Sequence, residues 1–266
     1  MTHAIAIDHL FCGYTDQPVL REVSFSVDPG SFFVIIGPNG SGKTTLLKAM
    51  ARLLPAKAGR FDILGRPAGN YTFRSLAQTM AFVPQETRID FPLTVEEFVL
   101  AGRSPYQGVL GIPDAMDTEI ARQAMAFTGI DHLSSRKLDQ LSGGERQRAF
   151  IAKAVCQEPR LILLDEPTAS LDLAHQTRIM DLMERLKNEK GVTIVMVSHD
   201  INLAAMYGDT LLLLKEGRVV GKGAPGEILT YQILEEAYGC MLLVDENPLG
   251  KFPRVTPVPD RLKIIH

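Results

Sequence analysis

The chain of 266 residues has few cysteines, no surplus of basic residues and no long apolar run, and each shortage excludes a class of protein. Its three cysteines, Cys12, Cys156 and Cys240, are odd in number and widely spaced, with no CxxC pair and no Cys/His cluster. That argues against structural zinc and reads as free thiols in a reducing compartment. Lys and Arg number 28 against 31 Asp and Glu, a net charge of −3, which argues against a general nucleic-acid binder. Apolar runs such as 32–36, 192–197 (broken by Thr193) and 211–214 fall far short of the ~20 residues that cross a bilayer. The first ten residues, MTHAIAIDHL, have neither a basic region nor an apolar one and read as no signal peptide. Any membrane role is therefore expected to go through a partner. There is no internal repeat and no low-complexity tract.

What is present suits a folded chain of one large domain or two small ones. Hydrophobic residues make up 45%, enough for a sizeable core, and 22 Gly and 16 Pro are ordinary. Residues 4–7 and 23–27 alternate as strands, with Asp28-Pro29-Gly30 as a turn. The continuous run 32–36 reads as a strand buried on both faces. Leu46, Leu47 and Met50 then recur at helical spacing over 43–52. Short strands are expected at 60–64 and 80–83. Between 87 and 156 three helical patterns (95–101, 117–127, 143–156), punctuated by Pro92, Pro105 and Pro113, read as a helical insertion. Strand 161–164, helix 173–190, strand 192–197 and a hairpin turning at Glu216-Gly217 follow. This β–α alternation implies an α/β fold with a mostly parallel sheet covered on both faces. After Gly239 the chain turns proline-rich and patterning fades. The organisation expected is one domain over 1–239, with 87–156 inserted, and a C-terminal tail over 240–266.

Gly37-Pro38-Asn39-Gly40-Ser41-Gly42-Lys43-Thr44 fits G-x4-G-K-[ST], and it follows an apolar strand and opens a helix. Glycines let backbone N–H groups turn around phosphate oxygens, and the helix N-terminus adds partial positive charge. Lys43 brings a full charge to the β- and γ-phosphates, and the Thr44 hydroxyl can ligate Mg²⁺. Strand 161–164 leads into Asp165-Glu166, at the edge where ligands gather in open α/β sheets. Asp165 is expected to hold Mg²⁺, and Glu166 stands where a water-activating base is wanted.

Leu141-Ser142-Gly143-Gly144-Glu145-Arg146-Gln147 resembles the signature of the ATP-binding cassette (ABC) ATPases. Locally it also reads as a capped helix start, with Ser142 as cap and Glu145 three residues on. The other elements of that family stand in order. Tyr14, followed by Val19-Leu20, resembles the aromatic that stacks on adenine. Gln85 resembles the Q-loop glutamine, Ser170-Leu171-Asp172 the D-loop and His199 the switch histidine. The resemblance covers about residues 3–235. It implies a RecA-like P-loop NTPase core, with an N-terminal antiparallel β part and an inserted helical subdomain. It implies ATP on Tyr14, Gly37, Pro38, Asn39, Gly40, Ser41, Gly42, Lys43, Thr44 and Thr45, with Mg²⁺ on Thr44, Gln85 and Asp165. It implies a catalytic set of Glu166, His199 and Gln85. The resemblance further implies a head-to-tail dimer, in which Ser142, Gly143, Gly144, Glu145 and Asp172 meet the ATP of the second copy.

A single cassette with no long coiled-coil insertion favours a transporter subunit over the soluble cassettes of translation or DNA repair. The stretch 94–106, with Gly102-Arg103-Ser104-Pro105, resembles the subgroup serving iron–siderophore, haem and cobalamin importers; Ser170-Leu171-Asp172-Leu173-Ala174-His175-Gln176 also resembles that subgroup. Gly-Arg-x-Pro also reads simply as a helix end. Molybdate and zinc or manganese importers are the alternatives. About 30 residues after the cassette leave no room for a regulatory domain of the ~100-residue kind. The partners implied are a second copy, membrane permease subunits and, indirectly, a substrate-binding protein, with no nucleic acid. The place implied is peripheral, on the cytoplasmic face of the inner membrane. Phe91, Leu93 and Val109 are candidates either for permease contact or for packing within the helical segment.

Overall fold

A computed structural model describes residues 2–15, 17–85, 92–108, 111–259 and 261. The chain opens with β1 (Ile5–Cys12), β2 (Leu20–Val27), β3 (Phe32–Ile36), α1 (Lys43–Met50), β4 (Ala56–Ile63) and β5 (Arg66–Pro67). It continues through α2 (Phe73–Ala77), β6 (Met80–Val83), α3 (Val95–Leu100), α4 (Ala115–Thr128), α5 (Gly143–Cys156), β7 (Leu161–Asp165) and α6 (Leu173–Lys190). It ends with β8 (Thr193–Val197), α7 (Ile201–Tyr207), β9 (Thr210–Lys215), β10 (Arg218–Gly223), α8 (Pro225–Ile228), α9 (Tyr231–Tyr238), β11 (Leu242–Glu246) and β12 (Pro253–Pro257). Two compact bodies result: Met1–Ala68 with Val195–His266, and Gly69–Ile194.

The first body holds an antiparallel sheet in the order β2-β1-β4-β5. The alternation along β2 turns Leu20, Val23, Phe25 and Val27 inward, as a half-buried sheet requires. β3 runs parallel to β9, and β10 returns antiparallel beside β9. All five residues of β3 are buried, which explains its unbroken apolar run. Phe25 stacks on Phe33 with ring centroids 5.5 Å apart. The patternless stretch after Gly239 forms the β11–β12 hairpin, paired from Leu242↔Pro257 to Glu246↔Pro253. It is tied to α7 by a reciprocal pair: Val255 N–H donates to Asn202 Oδ1 (2.8 Å), and Asn202 Nδ2 donates to the Val255 carbonyl (3.1 Å).

The second body pairs β6 and β7 in parallel, with Val83 opposite Leu164. Helices α3, α4 and α5 pack on one another, with Phe98 edge-on to Phe150 at 4.9 Å. The Gly-Arg-x-Pro element forms a turn of 3₁₀-helix after α3 and does more than end it. A methyl group on Gly102 would overlap the Lys153 carbonyl of α5. Arg103 is buried, donating to Asp117 Oδ1 (3.0 Å), the Cys156 carbonyl (2.9 Å) and Glu158 Oε2 (2.8 Å). One guanidinium thereby joins the ends of three helices. Helix α4 starts at Ala115, two residues before the expected position, because Asp114 caps it through a reciprocal box with Asp117. Phe91 and Val109 lie outside the described residues. Leu93 is half-buried, and its carbonyl accepts from Leu138 N–H (3.0 Å).

Candidate nucleotide site

The first body carries Tyr14, the P-loop and His199. The chain leaves β3 through Gly37 (φ +148°), Gly40 (φ +76°) and Gly42 (φ +101°), values that residues with a Cβ rarely adopt. Gly42 is the N-cap of α1 and makes no side-chain cap, so the helix's first N–H groups depend on the loop and on what it binds. Lys43 is only 5% exposed, and its ammonium donates to the Gly37 (2.9 Å) and Pro38 (3.0 Å) carbonyls. Thr44 and Thr45 follow in the first turn. The Ser41 hydroxyl is buried with no hydrogen-bond partner among the described residues. A methyl on Gly40 would meet nothing within 4 Å. A concave loop of glycines, a buried ammonium and an orphaned hydroxyl fit a phosphate chain.

The loop is braced from behind, a feature the sequence does not announce. In the β9–β10 turn, Gly217 N–H donates to the Ser41 carbonyl (2.9 Å), and the Gly217 carbonyl accepts from Arg21 (2.8 Å). Gly217 sits at φ +76°, and a methyl on it would overlap the Val19 carbonyl. Val19 and Leu20 close on Gly42, where a methyl would stand 2.9 Å from Leu20 Cδ2. Tyr14 is 59% exposed, with the Lys48 ammonium 5.9 Å from its ring centroid. Ser198 N–H donates to the Ile35 carbonyl (3.1 Å), which fixes exposed His199 just past the end of β3.

The second body carries Gln85, Asp165, Glu166, the signature and the D-loop. The parallel register of β6 and β7 makes the chain emerge side by side at Gln85 and at Asp165-Glu166. Asp165 and Glu166 are buried, and Glu166 is held at φ +50°, a conformation that costs on the order of 1 kcal/mol for a residue with a Cβ. Gln85 Nε2 donates to Glu166 Oε2 at 2.7 Å, which leaves the glutamine's amide oxygen as an acceptor. Among the described residues no cluster of three or more His, Cys, Asp or Glu could hold a metal ion. Within this body the Gln85 amide oxygen and the Asp165 carboxylate are hard oxygen donors of the kind Mg²⁺ takes.

Ser142 caps α5 through a reciprocal box with Glu145. Its N–H and hydroxyl donate to Glu145 Oε2 (2.8 and 2.7 Å), while Glu145 N–H returns to the Ser142 hydroxyl (3.4 Å). The bond from the Ser142 backbone, then that from its hydroxyl, holds the Glu145 carboxyl below the usual range. The local and family readings of this segment are therefore compatible. Asp172 caps α6 without such a box, its side chain accepting from His175 N–H.

The comparisons agree with this geometry. The ABC transporter family model matches residues 20–169. The ferric enterobactin transport ATP-binding protein FepC of Escherichia coli is 37% identical over 97% of this chain and 96% of its own length. The hemin import ATP-binding protein HmuV of Vibrio cholerae is 37% identical over 96% and 99%. Among solved structures, a chain of an inward-facing ABC transporter described as of metal-chelate type superposes with a TM-score of 0.87 at 28% identity, covering 98% of this chain and all of its own. A dimeric bacterial ABC transporter cassette gives 0.73 at 29% identity, covering 83% and 98%. The chain belongs to the ABC transporter family and is one of its ATP-hydrolysing cassettes.

Proposed function

We propose that this chain is the ATPase subunit of an importer for an iron–siderophore or haem cargo. The observation that carries this reading is the near end-to-end match to cassettes whose names give ferric enterobactin and hemin transport. Among the described residues no helix is long and apolar enough to cross a membrane. The importer reading places the chain on the cytoplasmic face of the membrane, bound to permease subunits that receive cargo from a substrate-binding protein. Two copies would pair head to tail, since one chain has one P-loop and one signature.

In this reading Tyr14 stacks on adenine, and residues 37–45 wrap the phosphates with Lys43 on the β- and γ-groups. Thr44, Gln85 and Asp165 would hold Mg²⁺, which when bound polarises the γ-phosphate. Glu166 accepts a proton from the attacking water, and the Gln85 amide orients its carboxylate. His199 hydrogen-bonds the γ-phosphate. Ser142, Gly143, Gly144, Glu145 and Asp172 of the second copy complete the shell. Closure on ATP and opening after hydrolysis would drive the permease.

Glu166→Gln tests the core of this reading. The amide keeps the size of the side chain but cannot take a proton, so the rate should fall about 10²- to 10⁴-fold while ATP still binds. On the permease-bound complex, ATP should then trap a closed state that the wild type shows only transiently. A variant that hydrolyses at the wild-type rate removes Glu166 from the base role. The cargo reading is tested separately, by ATPase stimulation with ferric siderophore or haem on the complete importer.

A further inference from the structure

The residues just past the D-loop, Leu173-Ala174-His175-Gln176, have so far had no role, and the packing around His175 supplies one. Its main-chain N–H donates to Asp172 Oδ1 at 2.8 Å. Its ring Nδ1 lies 2.8 and 2.9 Å from the two oxygens of the same carboxylate. Both oxygens of the D-loop aspartate are thus engaged by one residue. The ring also covers the signature. A methyl on Gly144 would overlap His175 Cδ2 and stand 2.8 Å from Cγ and Nε2. One residue earlier, a methyl on Gly143 would stand 3.8 Å from Leu171 Cδ2. The two glycines therefore meet the D-loop segment at two successive points.

This gives Gly144 an internal reason to lack a side chain. Glycine in a helix costs about 1 kcal/mol relative to alanine, and α5 carries two in its first turn. At Gly144 the imidazole occupies the space where a Cβ would go. The hydrogen bonds from the His175 backbone and then from its ring hold the Asp172 carboxyl below the usual range, which keeps it an acceptor.

We propose that His175 is a positioning residue that locks the signature to the D-loop within one chain, so that Ser142–Glu145 and Asp172 reach the second copy's ATP as one unit. The proposal rests on the reading of those residues as the face presented across the dimer. The lock itself needs neither ATP nor a second copy.

Hydrogen–deuterium exchange on the full chain without nucleotide tests it directly. His175→Ala should speed exchange by about ten-fold in 141–147 and in 170–172, leave 37–45 unchanged and barely move the melting temperature. His175→Gln is the second variant, should the alanine form fail to fold; it keeps a donor for Asp172 but no ring over Gly144. It should release 141–147 while 170–172 stays protected. Unchanged exchange in 141–147 in the folded variants overturns the lock. In turnover, His175→Ala should lower kcat about ten-fold at unchanged KM for ATP. A raised KM with unchanged kcat also overturns it. A wild-type chain with no ATPase activity would sink the functional reading and leave the exchange result to stand or fall by itself.

Discussion

The P-loop and the signature are both glycine-rich helix starts, yet they are built in opposite ways. The P-loop has no side-chain cap; backbone and glycine geometry shape it, Lys43 is folded into it, and the Gly217 turn braces it. The signature is an exposed capping box, and the same box recurs nearby at Thr94–Glu97 and Asp114–Asp117. The first starts at a glycine with no side chain to cap it, so a phosphate chain can take the place of a cap. The second already satisfies its own start and is set apart from its neighbours by Gly143, Gly144 and the imidazole over Gly144. A pocket made of backbone tolerates little change at any position. A cap can be altered at a cost in stability alone, unless its glycines serve another surface.

Lys43→Ala should show the largest effect. It removes the charge assigned to the β- and γ-phosphates and should bring ATPase activity below detection and weaken ATP binding. The side chain's two bonds to loop carbonyls go as well, so stability should drop by about 1–3 kcal/mol without loss of the fold. Turnover and nucleotide titration on the purified variant, with circular dichroism as the control, check both parts. Normal turnover would remove the phosphate assignment.

Gly217→Ala comes next and asks whether the brace matters. The new methyl would be forced against the Val19 carbonyl at a positive φ that costs on the order of 1 kcal/mol even in free space. The turn must shift, and Ser41 loses its partner behind the loop. The affinity for ATP should fall about ten-fold, and stability by roughly 1–3 kcal/mol. Unchanged affinity in a destabilised protein would show that the P-loop holds its shape without the turn.

These two positions differ in how far they can be read from sequence. Lys43 is legible because β3 is buried on both faces, so a continuous apolar run ends at a glycine pattern that only one chemistry explains. Glu216-Gly217 is legible as a turn, but its bond to Ser41 joins residues far apart in the chain. His175 is legible as part of a resemblance; a lone histidine says nothing of the glycine beneath it. The hairpin after Gly239 escaped for a local reason. β12 has proline at both ends and buries only Val255, so no alternation marks it. Helices α2 and α7 have five and seven residues, too short for a period of 3.6 to repeat clearly. Gln85 is legible through its order among motifs, whereas its bond to Glu166 joins residues far apart in the chain.

The smallest effect should come from removing one hydroxyl in each of two matching caps. Thr94→Ala and Ser142→Ala delete the same group from the same reciprocal box, and each should cost about 1 kcal/mol of stability. In both, the glutamate three residues on loses its hydroxyl donor and keeps the backbone N–H of the cap residue. Denaturant titration of the two variants should therefore give nearly the same shift. Turnover should separate them. Thr94 caps a helix with valine and glutamate in its first turn, so its loss should leave ATPase activity at the wild-type level. Ser142 stands before two glycines at the face assigned to the second copy's γ-phosphate, so its loss should cut activity several-fold at unchanged stability relative to Thr94→Ala. Equal activities would mean that the signature serine is a cap and nothing more. An activity loss in Thr94→Ala of the same size would mean that α3, through its packing on α5, controls the signature from a distance.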